Sequence, residues 1–209
     1  AASEYGLDGK NPFSKVYFPE TNDTKTRRPA TVTELSQIQS ECISLNDEIR
    51  WLIALVSDTG MRLSEAAGLY WTDVKLDDET PHIIIQPNAH RRLKTASSKR
   101  IIPVVGFSLW ALKQAKAHAT GPHVYPKYMK GTTCSANSAS AATNKWIKSL
   151  VNSDISMHSL RHSMRDRLRS AQCPTEVIDQ IGGWSSGSVG SKYGLGYPIH
   201  ILQEWMLKM

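Results

Sequence analysis

The stretch MHSLRHSMR, residues 157–165, combines apolar and basic side chains at helical spacing. Its apolar residues recur every three or four positions and continue one turn further, at Met157, Leu160, Met164 and Leu168. At about 100° per residue they form one stripe, which predicts a core-packed helix over Met157–Ser170. His158, Arg161 and Arg165 lie along the flank of that stripe, where two donors can converge on one phosphate. An arginine-rich surface helix has the same pattern, so this stretch alone leaves both interpretations open.

The composition is that of a basic globular protein. The chain has 209 residues, enough for one domain or for one domain and a tail, and 40% of them are hydrophobic. The net charge of +6 and the pI of about 9.2 favour a polyanionic partner. There is no apolar run of about 18 residues and no signal-peptide pattern, so we expect no membrane partner.

The basic residues form two clusters that contain almost no acids. The first consists of His90, Arg91, Arg92, Lys94, Lys99 and Arg100. The second consists of Arg161, Arg165, Arg167 and Arg169, with Asp166 as the one acid among them. Solvated faces carry such runs too, but two of them in a chain with 19 acidic residues favour nucleic acid.

The cysteines predict neither a metal site nor a disulfide framework. Cys42, Cys134 and Cys173 are scattered and form no CxxC pair. A reducing intracellular compartment is the simpler interpretation.

Residues 1–30 have the character of a linker, because they combine prolines with a long polar run and little periodicity. This tract ends at Thr31, which forms a capping-box pattern with Glu34 and predicts the start of a first helix. A single domain is therefore predicted over residues 31–209.

A joint between two helices is predicted at Met61-Arg62. Apolar residues recur at helical spacing from Asp47 to about Ser57, and Thr59-Gly60 ends that helix. Ser64–Ala67 restarts a helix, so Arg62 lies at the joint, with Glu65 as a candidate ion-pair partner.

From His82 onward the residue pattern changes from helical spacing to short β-branched runs typical of strands. The strand candidates are His82–Gln86, Arg91–Thr95 and Arg100–Val105. The remaining helices are predicted over Ser108–His118, about Ala139–Val151, Met157–Ser170, Thr175–Ile181 and a tail helix at 199–209. The segment Gly131–Ala142 is predicted to be a loop leading into a helix, and we assign it no function. The predicted fold class is mainly α with a small antiparallel three-stranded β-sheet (α+β).

Several sequence boxes, taken together, resemble the tyrosine recombinases, the phage integrase family. They are Thr59–Ala66 with Leu69–Val74 (TG-x-R-x-SE…L-x-W-x-D-V), Lys94-Thr95 with Ser98–Val104 (KT…S-x-R-x-I-P), His158–His162 (H-x-L-R-H) and Gly183–Ser186 (similar to GH-x-S). They occur in the family's order, from about residue 31 to the C-terminus. In that family the nucleophilic tyrosine follows the His/Trp of the last box by nine positions, and 193 − 184 = 9 selects Tyr193 over Tyr197.

The resemblance implies the tyrosine recombinase/integrase catalytic-domain fold, of the DNA breaking-rejoining enzyme type. It implies a site-specific recombinase that integrates or excises a phage or another mobile element. The implied reaction cleaves and rejoins DNA strands through a covalent 3′-phosphotyrosyl intermediate, without metal, ATP or another cofactor. A side-chain nucleophile is needed for this, because the covalent link stores the energy of the broken bond.

The same resemblance assigns roles to individual residues. Arg62 and Arg161 would clamp the non-bridging phosphate oxygens. His158 would hydrogen-bond the phosphate and accept the tyrosine proton, and Lys94 would protonate the leaving 5′ oxygen. Glu65 would orient these residues without contacting the phosphate itself.

Trp184 departs from the more usual histidine of the last box, although some members of the family carry tryptophan. Its indole N–H can donate to the phosphate but cannot act as an acid or base. The Gly/Ser-rich sequence after it would let Tyr193 move into the phosphate pocket. Further contacts to DNA are expected from Arg91, Arg92, Lys99, Arg100 and Arg165.

The implied partner is double-stranded DNA at attachment-type sites, in the cytoplasm of a bacterial or phage-infected cell. We expect a homo-tetramer on DNA, a monomer in isolation and DNA-bending accessory proteins. Residues 1–30 are too few for the family's N-terminal DNA-binding domain, so the chain is expected to be the catalytic part of a longer integrase. The tail helix would pack on its own core or on a neighbouring subunit.

Three other interpretations compete with this one. A type IB topoisomerase shares the chemistry but relaxes supercoils as a monomer without exchanging strands. A domain of the same fold could bind DNA without catalysis, although every candidate catalytic position is filled here. The last is a helical domain that matches the boxes by chance.

Overall fold

The computed structural model describes residues 28–88, 95–184 and 196–209, and the described residues form eight α-helices and five short strands. The helices are α1 (Val32–Leu45), α2 (Glu48–Thr59), α3 (Leu63–Ala67), α4 (Gly106–Ala117), α5 (Ala136–Leu150), α6 (Met157–Ser170), α7 (Thr175–Gly182) and α8 (Ile199–Met206). The strands are β1 (Val74–Lys75), β2 (His82–Ile85), β3 (Arg100–Pro103), β4 (Met129–Lys130) and β5 (Thr133–Cys134). The expected fold class, mainly helical with a small antiparallel sheet, is confirmed.

The first helix begins where the capping box predicts. Thr31 Oγ1 accepts from the Glu34 backbone N–H, and the Glu34 carboxylate accepts from the Thr31 backbone N–H. Residues 28–30 already belong to the fold, because the Ala30 N–H donates to Ser163 Oγ on α6 at 2.7 Å. Residues 1–27, which make up most of the predicted linker, lie outside the described part of the chain.

Helix α2 is the centre of the core. Every residue from Trp51 to Thr59 is buried, because α2 packs against α1, α4, α5 and α6. The helix ends at Gly60, which adopts the left-handed conformation that glycine tolerates best (φ 59°). The chain then turns through Met61 and Arg62 into α3, which confirms the predicted joint.

The main sheet is antiparallel in the order β1-β2-β3, with Ile83 paired to Ile102. Two of its strands were predicted, whereas β1 is two residues long and too short to show a period. The predicted strand Arg91–Thr95 falls on residues 91–94, which lie outside the described residues, and Thr95 lies in a bend.

The segment Gly131–Ala142 is not the loop that we expected. Thr133–Cys134 pairs with Met129–Lys130 as a two-stranded hairpin, and α5 begins at Ala136. The first turn of α5 consists of small residues, and the side of the helix that faces the core is formed by Ala139, Thr143 and Ile147, all fully buried. These three residues are spaced four apart and therefore lie on one face of the helix.

The tail helix α8 packs on its own chain, against β3. Leu202 and Met206 are each 1% exposed, whereas Leu207 just beyond it is 65% exposed. In this single chain the helix thus packs on its own core. No helix among the described residues is both long and apolar enough to span a bilayer.

Candidate active site

Side chains from four parts of the fold meet at one place: the α2–α3 joint, the start of β3, the first half of α6 and the end of α7. These parts carry Arg62, Glu65, Arg100, Arg161 and Trp184. The α6 stripe explains the placement of its arginine, because Leu160 and Met164 are fully buried and draw that side of the helix into the core. The apolar stripe predicted for this helix is confirmed.

Glu65 holds two arginines at once. Its Oε1 accepts from Arg62 Nη1 at 2.8 Å, and its Oε2 accepts from Arg100 Nη2 at 2.9 Å. The same Oε2 also accepts from the Arg62 backbone N–H at 3.0 Å. Burial alone would raise the pKa of Glu65, but hydrogen bonds and charge from Arg100 and Arg62 outweigh it and lower the pKa.

Ser98 connects this group to the turn before β3. It is fully buried, and its Oγ accepts from Arg62 Nη1 at 2.9 Å. Thr95 Oγ1 lies 2.9 Å from the same Ser98 oxygen. Within the KT…S-x-R box, Ser98 thus supports Arg62 directly, and Thr95 contacts Ser98.

Arg161 joins two helix ends. Its Nη1 donates to the Gly60 carbonyl at the end of α2, and its Nη2 donates to the Gly182 carbonyl at the end of α7 at 2.6 Å. Both acceptors are at the negative end of a helix dipole, which favours a cation there. The residue is only 5% exposed, more buried than its predicted place on the flank of the stripe.

Trp184 covers two guanidinium groups of α6. The Arg161 Cζ lies 4.4 Å from the centre of the indole ring and the Arg165 Cζ lies 4.7 Å from it, both within the range of cation–π attraction. The Trp184 backbone N–H donates to the Asp179 carbonyl at 3.0 Å, and Arg165 forms an ion pair with the Asp179 carboxylate at 3.2 Å.

His158 is exposed in the first turn of α6. Its ring lies 4.6 Å from the ring of His162, in an edge-to-face arrangement. It is thus a surface side chain one helical turn from the buried Arg161.

The cluster carries excess positive charge. Four arginines (Arg62, Arg100, Arg161, Arg165) face two carboxylates (Glu65, Asp179), a difference of 4 − 2 = +2. Burial, together with the charges of Arg100 and Arg62, lowers the pKa of Arg161 to about 9, so it stays charged at neutral pH. Such a site favours an anion that approaches the exposed edges of Arg62 and Trp184.

Not every predicted residue joins the cluster. Tyr193, Lys94, Arg91 and Arg92 lie outside the described residues, and Lys99 is exposed. Arg100 was predicted to contact DNA, but its side chain is 2% exposed and its donors are bonded inside the protein. An interior placement favours a structural role for Arg100 over a contact to DNA. Arg165 keeps 29% of its side chain exposed, so it remains a candidate for DNA contact.

Two residues of the site were missed by sequence reasoning. Asp179 anchors Arg165, and Gln180 beside it bonds the backbone of Tyr197. Polar residues on a short helix are usually solvated, so no local signal marks either of them. Within the described ranges there is no group of three or more His, Cys, Asp or Glu side chains that could hold a metal ion.

Known proteins share this arrangement of elements. The Tn1549 transposon integrase in complex with a circular intermediate DNA superposes with a TM-score of 0.59 at 17% identity, covering 91% of this chain and 72% of that one. XerH site-specific recombinase bound to difH substrate gives 0.60 at 17% identity, covering 88% and 55%. A lambda integrase tetramer bound to a Holliday junction gives 0.58 at 17% identity, covering 91% and 54%. At these identities the likeness shows the fold.

Sequence comparison shows the family as well as the fold. Tyrosine recombinase XerD of Corynebacterium glutamicum is 29% identical over 144 residues, which are 66% of this chain and 44% of that protein. The chain thus spans less than half the length of this relative. The sequence model of the Phage integrase family matches residues 29–194, most of the chain and all of the cluster described above. The chain belongs to the phage integrase family.

Proposed function

We propose that this chain is a tyrosine-type site-specific DNA recombinase that cleaves and rejoins DNA through a 3′-phosphotyrosyl intermediate. The observation that carries the proposal is the convergence of Arg62, Arg161 and Trp184 in one cluster with a net positive charge. The cluster ends at Trp184, and Tyr193 follows nine residues later (193 − 184 = 9). The proposed reaction would integrate or excise a phage or another mobile element.

The arginine cluster suits phosphoryl transfer. In the transition state the phosphate carries extra negative charge, which preorganised guanidinium groups stabilise without reorganising at the moment of reaction. Arg62 is held by Glu65 and Ser98, and Arg161 by two carbonyl groups, so both are fixed before DNA arrives. Trp184 supplies an indole N–H donor but no exchangeable proton at neutral pH.

The proposed reaction balances without a cofactor. Tyr193 Oη attacks the phosphorus and forms a P–O bond, while the bond from phosphorus to the 5′ oxygen breaks. The tyrosine proton passes to His158, and Lys94 donates a proton to the leaving 5′ oxygen. A phenol with a pKa near 10 becomes an effective nucleophile once the phosphate charge is neutralised. The 5′ hydroxyl of a partner strand then reverses these steps and releases the tyrosine.

The proposed partner is double-stranded DNA at attachment-type sites, bound by a homo-tetramer of chains that are monomers in isolation. Arg91, Arg92, Lys99 and Arg165 are the candidate backbone contacts. Such contacts make binding weaken steeply with salt. DNA-bending accessory proteins would assist, and the site of action would be the cytoplasm of a bacterial or phage-infected cell.

The test is a denaturing gel on a randomised pool of nicked duplex oligonucleotides, which trap cleaved strands on the protein. The wild type should give a DNA-shifted band that Tyr193→Phe and Arg62→Ala lose. Arg169→Ala is the control, because Arg169 lies on the same helix but is 58% exposed, and within the described part of the chain it pairs with Asp166 outside the cluster. A wild-type chain that binds duplex DNA without forming the band would instead be a DNA-binding domain without catalysis.

A second assay separates recombination from topoisomerase activity. Addition of an oligonucleotide with a free 5′ hydroxyl should join it to the trapped strand and release the protein. Relaxation of a supercoiled plasmid by the monomer, with no such joining, would identify a type IB topoisomerase.

A further inference from the structure

Arg100 is an arginine in the protein interior. It is the first residue of β3, and its side chain is 2% exposed. A buried charge is tolerated only when its donors are bonded and its charge is compensated. All three guanidinium nitrogens meet this condition: Nε donates to the Ile181 carbonyl at 2.9 Å, Nη1 to the Ser98 carbonyl at 2.8 Å and Nη2 to Glu65 Oε2 at 2.9 Å.

The three partners of Arg100 belong to three different segments. Glu65 lies on α3, Ser98 in the turn before β3, and Ile181 at the end of α7. Each partner either supports a residue of the site or lies next to a group that does. Glu65 and Ser98 both hold the Arg62 guanidinium, and the next carbonyl after Ile181 accepts from Arg161.

The guanidinium also packs directly on the chain that leads to Trp184. A Cβ atom added to Gly183 would lie 2.9 Å from Arg100 Nη1, so glycine is needed for this close approach. The planar fork of arginine can bond three separate acceptors in fixed directions, whereas a lysine ammonium is a single point.

We propose that Arg100 is a positioning residue for the DNA-cleavage reaction. It fixes the position of Glu65 relative to the end of α7. Through Glu65 it fixes the position of Arg62 relative to Arg161 and Trp184. It contacts no DNA itself. The cleavage part of this inference rests on the function proposed above, whereas the positioning of Trp184 does not.

The test compares Arg100→Met and Arg100→Lys with Arg167→Met. Arg167 is a matched control, because it also pairs with a buried carboxylate, Asp58 at 3.1 Å, but on the α2–α4 side of the core. Single-turnover formation of the covalent complex is measured at saturating protein, below the unfolding temperature of each variant. We expect Arg100→Met to cleave about 100-fold more slowly, the scale of a small misplacement of catalytic groups, with unchanged affinity for DNA. Arg100→Lys should recover part of the rate, and Arg167→Met should keep the wild-type rate despite a lower Tm.

A double-mutant cycle identifies the route. If Arg100 acts through Glu65, then Glu65→Gln combined with Arg100→Met should slow cleavage far less than the product of the two single effects. Independent effects, or a variant Arg100→Met that cleaves at the rate of Arg167→Met, would overturn the proposal. Weaker DNA binding with an unchanged rate at saturation would also overturn it, in favour of a DNA contact.

A readout without DNA separates this inference from the proposed function. The indole N–H resonance of Trp184, assigned by its loss in Trp184→Phe, reports the place of the ring beside the guanidinium groups. It should shift in Arg100→Met and stay in place in Arg167→Met. An unchanged resonance would overturn the positioning role even if the wild type cleaves no DNA, whereas a shift in a chain that cleaves no DNA would count against the proposed function alone.

Discussion

Gln180 holds the backbone of Tyr197 by two hydrogen bonds: Nε2 donates to the Tyr197 carbonyl at 2.9 Å, and Oε1 accepts from the Tyr197 N–H at 2.8 Å. Its neighbour Asp179 accepts from the Trp184 N–H through its carbonyl, at 3.0 Å. Adjacent residues of α7 therefore hold the chain on both sides of residues 185–195. Tyr193, in that segment, is only three residues before Gly196 (196 − 193 = 3).

We expect Gln180→Ala to slow formation of the covalent DNA complex while leaving DNA affinity unchanged, because the downstream end of the Tyr193 segment loses its anchor. Two hydrogen bonds are lost, each worth about 1 kcal/mol of stability. Gln37→Ala is the control, since Gln37 also donates to a backbone carbonyl, that of Leu150, at 3.2 Å on an exposed surface. Equal cleavage rates in the two variants would show that the anchor has no role.

Tyr197→Phe should retain the covalent band. The Tyr197 hydroxyl donates to Glu176 Oε2 at 3.1 Å, and this hydrogen bond raises the pKa of the phenol, which disfavours the nucleophilic phenolate. The denaturing gel that tests Tyr193→Phe also tests this variant. A band lost in Tyr197→Phe and kept in Tyr193→Phe would reverse the assignment of the nucleophile.

Gly182→Ala should displace the Trp184 ring. A Cβ at this position would lie 1.9 Å from the indole, a contact that requires the ring to move. Overpacking of this kind costs about 1–3 kcal/mol, and loss of the stacking on Arg161 should also slow cleavage. Urea unfolding and near-ultraviolet circular dichroism would follow both effects. Gly121→Ala, where an added Cβ meets nothing within 4 Å, should leave stability and cleavage close to wild type.

Acid should weaken the fold through Glu65. Because its folded pKa is lowered, its contribution to stability is fully present above the ordinary carboxyl pKa of 4.5 and is lost as the pH falls through the folded pKa. Urea unfolding at a series of pH values should show a shallower acid-side decline in Glu65→Gln than in the wild type. The same variant should also cleave more slowly at neutral pH, because Arg62 loses its orienting carboxylate.

Glu34→Gln provides the comparison for that experiment. A hydrogen bond from Arg28 is the main cause that lowers the pKa of Glu34 to about 2, so its contribution is likewise lost between pH 4.5 and about 2. Glu34 caps α1, away from the cluster, so this variant should alter acid stability without slowing cleavage. If both variants cleaved equally, Glu65 would have no role beyond stability.

Local sequence determined a large part of this protein. The capping box of Thr31 and Glu34, the stop at Gly60 and the stripe through Leu160 depend on residues within about one or two helical turns of each other. The stop at Gly60 and the helical pattern that restarts at Ser64 also placed Arg62 at a joint between two helices. These features could be predicted because each is satisfied by neighbours in the chain.

Tertiary structure alone decided the rest. Arg100 looks like one more cation of a basic hairpin, and only the packing of α3 and α7 against β3 turns it into a buried bridge to Glu65 and Ile181. Arg161 likewise looks like a surface arginine, yet it bonds carbonyls at the ends of two helices, one of them 101 residues away in sequence. Whether a guanidinium faces water or the interior depends on acceptors that distant segments bring to it, and no local pattern records them.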